Sequence, residues 1–141
     1  MKRLVCVAGV LAVLALAALV LSPAPAEARK DLSAKEIMVK AHKGNNSLLT
    51  MVRMELREDE PDWADVQTNT REMIVLGNAL CKTQPPLGDK ASWDQHTRQY
   101  VANVKVLDAA AQRKDKSSAD AALKKLLGSC GACHEAHRPK E

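Results

Sequence analysis

The chain has 141 residues, with 21 basic side chains against 17 acidic ones and a formal net charge of +4. That length holds one modest domain, and so mild a charge, with no concentrated basic stripe, argues against a nucleic-acid binder. With no Phe, two Trp and one Tyr, the core must be built largely without the aromatic side chains that usually supply much of a small domain's buried area.

Met1-Lys2-Arg3 is a positive start, Leu4–Leu21 an unbroken run of apolar and small residues, and Ala26-Glu27-Ala28 an A-x-A exit. This is the pattern of a secretory signal peptide over residues 1–28, with the mature domain over 29–141. The competing expectation is an uncleaved anchor, because the apolar run is just long enough to span a bilayer at about 1.5 Å per residue. Cys6 stands too early in that run to be a lipid-attachment cysteine.

Beyond residue 30 no segment alternates with period two, and the apolar residues recur at helical spacing. Ser33-Ala34-Lys35-Glu36 is a capping box, after which Ile37, Met38, Ala41, Leu48, Leu49, Val52 and Leu56 mark the buried face of a first helix. Gly44-Asn45-Asn46-Ser47 predicts a break in it, with a new turn starting at Ser47. A second helix is expected from Pro61 to Leu80, with proline in its first turn. The segment 82–89, with Pro85-Pro86 and Gly88, is a loop. A third helix starts near Asp89 or Ser92 and turns Trp93, Tyr100, Val101, Val104 and Leu107 inward. Lys114–Ser118 is a polar turn, and a fourth helix runs from about Ser118 to His137 before Pro139. Four helices with short connections predict an all-α, antiparallel four-helix bundle.

The chemistry gathers at Cys130-Gly131-Ala132-Cys133-His134. Two thiols three residues apart, followed at once by a histidine, form the signature of covalent c-type haem attachment. On a helix, positions i, i+3 and i+4 share one side, so one short segment can hold the macrocycle by its edge and its metal. The haem would also supply the flat apolar mass that the sequence lacks. A redox dithiol wants its attacking cysteine at a helix N-terminus, and a pair late in a helix does not offer that. A zinc site from Cys130, Cys133, His134 and His137 would crowd four ligands onto two turns, whereas structural zinc sites draw on two segments. A plain disulfide between residues i and i+3 constrains little and leaves His134 without a role.

A four-helix bundle with this motif near its C-terminus resembles the class II cytochromes c, the cytochrome c′ group. The resemblance is carried by Cys130 to Arg138, where Arg138 matches the family's basic residue and His137 stands in place of its usual aromatic. The wider chain, through Lys43-Gly44, Pro85-Pro86-Leu87-Gly88-Asp89 and Cys133-His134-x-x-His137-Arg138, is similar to small exported cytochromes of planctomycete bacteria. The resemblance implies haem c joined through thioethers to Cys130 and Cys133, with His134 as the fifth iron ligand. It also implies that a residue of the first helix decides the sixth position. A methionine there makes a low-spin electron carrier. An apolar residue leaves a five-coordinate iron that binds small gases such as nitric oxide.

Met38 and His42 are the candidates, one turn apart on the same face. Met38 is the favoured ligand, because it lies one turn inside the capped start, close to the family's methionine, and a thioether suits haem iron. His42 and an open position remain alternatives. The plain readings are core packing for Met38 and a solvated residue before a turn for His42. The expected cofactor-binding residues are therefore Cys130, Cys133, His134 and Met38, with His134 and Met38 on the iron. The expected function is an exported one-electron carrier and not an enzyme; the alternative is a nitric-oxide-binding protein.

The expected partners are redox proteins, with Lys124, Lys125, Arg138 and Lys140 as a docking face for acidic ones. No nucleic acid is expected, nor any membrane once the leader is removed. Family bundles often pair through their first two helices, which implies a homodimer. Cys81 is expected to be a small buried apolar residue at the end of the second helix, and His96 a surface residue.

Overall fold

The computed structural model describes residues 32–140; the expected signal segment 1–28 lies outside them. Six helical segments follow in chain order: α1 Ala34–His42, α2 Leu48–Glu55, α3 Trp63–Leu80, α4 Lys90–Gln112, α5 Lys116–Gly128 and α6 Cys130–His137. There is no strand among the described residues. The all-α bundle is as expected: α1 with α2, α3, α4, and α5 with α6 form its four rods. The most extensive packing joins consecutive rods, α3 with α4 and α4 with α5.

The first five helices start where a side chain takes up N–H groups that the helix leaves unpaired, whereas α6 has no side-chain cap. Ser33 and Glu36 form the expected capping box: the Glu36 N–H donates to Ser33 Oγ over 3.3 Å, and the Ser33 N–H to Glu36 Oε2 over 2.9 Å. Gly44, at φ +89°, makes the predicted break, and Ser47 caps α2.

Three helix starts differ from the sequence reading. Pro61 is not the first residue of α3: Asp62 is the cap, accepting from the N–H groups of Ala64 and Asp65, and Trp63 begins the helix. Asp115 caps α5, so that helix begins at Lys116 and the expected polar turn shrinks. The expected fourth helix is interrupted at Ser129, where the N–H bonds back to Leu126 O and the hydroxyl donates to the same carbonyl over 2.7 Å. That tight turn re-aims the segment bearing the motif.

The core is aliphatic, as the composition requires. Ile37, Val52, Val66, Met73, Val104, Leu107 and Leu126 are fully buried. Trp93 is the one buried aromatic among the described residues, and its indole N–H donates to Thr83 O over 3.1 Å. Between α3 and α4 the buried Asp108 carboxylate is held by Thr70 Oγ1 at 2.7 Å and by Gln112 Nε2 at 2.5 Å. Gly77 lets these helices approach: a Cβ there would lie 2.8 Å from both the Tyr100 ring and a Val101 methyl.

Thr70→Val removes one of two donors to a buried carboxylate, and leaving such a group short of partners costs about 1–3 kcal/mol. Urea unfolding should show an unchanged slope and a lowered midpoint, the shift multiplied by the slope giving that loss.

Candidate functional site

Cys130, Cys133 and His134 lie on one short helix, α6, and their i, i+3, i+4 spacing puts them on one side of it. Both thiols are free and half-buried, and His134 is exposed. The break at Ser129 puts Cys130 at the first position of α6, not late in a long helix as the sequence suggested. That is where a redox dithiol gains a lowered pKa. Here the opposite holds: burial pushes both thiols up, and Cys130 pushes Cys133 further. No cluster of three or more His, Cys, Asp or Glu fit to hold a metal ion occurs among the described residues.

His137 holds α6 in place. It is 2% exposed, its Nδ1 lies 2.7 Å from Leu87 O, and its Nε2 lies 3.1 Å from Ser92 Oγ. A carbonyl only accepts, so Nδ1 carries the proton and Nε2 accepts from the serine hydroxyl. Trp93 and His96 meet the ring edge-on at centroid distances of 5.2 and 5.7 Å. His96 is therefore half-buried beside His137 and not a plain surface residue. The loop fits closely over this contact: Gly88, at φ +74°, would place a Cβ 2.9 Å from Ala136 O and 3.0 Å from His137 Nδ1. His137 thus contributes a buried ring and two hydrogen bonds.

Across from α6 stand His42 at the end of α1 and Tyr100 on α4. Their rings meet edge-on at 5.4 Å with an interplanar angle of 78°. Burial, with the charge of nearby His134 adding to it, lowers the His42 pKa to about 4. Burial, with Cys130 adding to it, raises the Tyr100 hydroxyl well above its ordinary value. Each residue has a buried polar atom with no hydrogen-bond partner, His42 Nδ1 and Tyr100 Oη. Met38 lies one turn before His42, half-buried against the aliphatic core. His42 lies in the electrostatic surroundings of His134.

Residues 87–138 match the family model for cytochrome c′. This part of the chain is similar to the cytochrome c′ family. The match begins in the loop over His137, spans α4, α5 and α6, and ends at the residue that closes α6. No curated protein and no solved structure matches the chain. The cytochrome c′ family binds covalently attached haem c, and Cys130 and Cys133 are positioned at the C-terminus as such an attachment needs. The residues present fit it: a pair of free, half-buried thiols and two orphaned buried polar atoms face one region. The open groove on the outer side of α4, lined by Ala91, Asp94, Gln95, Arg98, Gln99 and Ala102, contains none of these residues.

Tyr100 and His137 have roles that spacing alone did not reveal. His137 lies seven positions after Cys130, two helical turns, which was the available signal. Tyr100 was legible only as an inward residue. Cys81 is a free, half-buried thiol that closes α3.

His137→Ala removes a buried ring and two hydrogen bonds and should destabilise the fold by about 3 kcal/mol. Ser92→Ala, which loses one hydrogen bond, should cost about 1 kcal/mol. Urea titrations of both variants check the order; equal losses would mean that the ring does not anchor α6.

Proposed function

We propose that this protein is an exported, monohaem c-type cytochrome that carries single electrons and catalyses no substrate chemistry. Cys130 and Cys133 make the two thioethers, and His134 is the fifth iron ligand. The haem supplies a one-electron couple, while the protein sets its potential, exposure and partner choice. The observation that carries the reading is the arrangement about α6: two free thiols and an exposed histidine on one side, with an unpartnered imidazole on the first helix close to them.

An electron carrier needs an iron filled on both sides. The first helix offers Met38 and His42 on the relevant face rather than apolar residues alone. That favours the carrier over a gas-binding protein with an open sixth position. Export supports the same reading, because the leader pattern at 1–28 would deliver the chain to a compartment where cytochromes c mature. No helix among the described residues is long and apolar enough to cross a membrane. Lys124, Lys125, Arg138 and Lys140 are exposed and form a basic rim near the motif. They suit an acidic redox partner, whose association would weaken with salt.

The test is the spectrum of the protein purified from a host that matures c-type cytochromes. Alkaline pyridine should give a c-type haemochrome band, lost when Cys130 and Cys133 are both replaced by Ser. The ferrous protein should be low-spin and unmoved by carbon monoxide. Immediate carbon monoxide binding by a high-spin ferrous protein would establish the gas-binding alternative. Absence of the pyridine band would end the haem reading.

A further inference from the structure

We propose that His42 is the second axial ligand, so that the haem iron is held between two imidazoles rather than between an imidazole and a thioether. This rests on the haem-bearing reading above and names the residue that completes its site.

The argument starts from the sequence around His42. It is the last residue of α1, directly before the turn that Gly44 makes possible. A residue there can approach a neighbouring group from the end of a rod without driving the whole helix against it. α1 and α6 share no extensive packing, and Tyr100 of α4 meets His42 edge-on. Tyr100 presses on His42 edge-on, and the close approach permitted by Gly77 backs the tyrosine ring in turn. The imidazole is thus held in orientation by packing, the usual way in which a ligand is prepared in advance.

Its nitrogen chemistry points the same way. Nδ1 is buried and unpartnered, and a buried polar atom left so costs about 1–3 kcal/mol unless something else satisfies it. A neutral imidazole is a good ligand for iron because it offers a lone pair. Lys40 is paired with Glu72 at 2.7 Å and does not compete for the site. Met38, about 6 Å back along the helix axis from His42, already has a structural place against the core. It carries no polar atom in need of a partner.

The test uses the holoprotein and three single variants. Ferric wild type should be low-spin, with the near-infrared magnetic circular dichroism of two imidazoles and no sulfur-to-iron charge-transfer band. His42→Ala should become high-spin, bind carbon monoxide at once, and return to low-spin when free imidazole is added. Met38→Leu should leave the spectrum unchanged. His42→Met should raise the reduction potential and bring in the sulfur-to-iron band, because methionine opposite histidine favours ferrous iron. Should His42→Ala fail to fold, the wild-type spectrum alone still separates the two ligand sets. A sulfur-to-iron band in wild type, or loss of the low-spin state in Met38→Leu with its retention in His42→Ala, would overturn His42 and leave the carrier reading intact. A high-spin wild type that binds carbon monoxide would overturn both.

Discussion

The buried His137 ring ties the segment bearing the haem-attachment motif to the body of the bundle. Everything asked of Cys130, Cys133 and His134 depends on α6 keeping its position, yet α6 is eight residues long and leaves the preceding helix at a tight turn. Isolated helices of that length are marginal in water. Tertiary contact must hold it, and most of α6 is exposed: His137 is its one buried residue. The ring meets this need by accepting from Ser92, donating to Leu87 and packing on Trp93 and His96 at once. The loop over it contributes through Gly88, whose lack of a Cβ lets backbone and ring come into contact.

How much of this was legible in the sequence follows from the range over which each signal acts. The capping box at Ser33, the restart at Ser47 and the helix start at Asp89 depend on residues within one turn, and all three stand where local chemistry puts them. The aliphatic stripe through Ile37, Val52, Val104 and Leu107 was equally plain. Pro61 misled because a proline suited to a first helical turn was followed at once by a better cap, Asp62. The break at Ser129 was invisible because Gly128 and Ser129 are tolerated within helices, and the bonds that turn the chain there reach to Leu126 and, from Asn103, across from α4.

The site divides along the same line. The motif could be read directly, since its spacing is its meaning. The surroundings of Met38 and His42 could not, because both occupy one face of one helix and differ only in what the opposite helices present. What separates them is chemistry: His42 meets Tyr100 and carries a buried, unpartnered ring nitrogen, while Met38, packed on the core, carries no such atom. The family match does not separate them, since it covers residues 87–138 and the first helix lies before it.

α4 acts as the ruler of the site. Trp93, His96 and Tyr100 recur along it at the three- and four-residue spacing of one helical face. The first two grip His137, and the third reaches His42. Trp93 and Tyr100 are seven residues apart, about 10 Å along a helix, so one rigid rod sets both the anchor of the motif and the ring facing it. A chain with two Trp, one Tyr and no Phe has put two of these three rings on this rod. Those scarce rings are spent on holding two histidines from opposite ends of the chain in register, and the general core is left to Leu, Val, Ile and Ala. A haem set between α1 and α6 would then be bounded by parts that α4 already aligns.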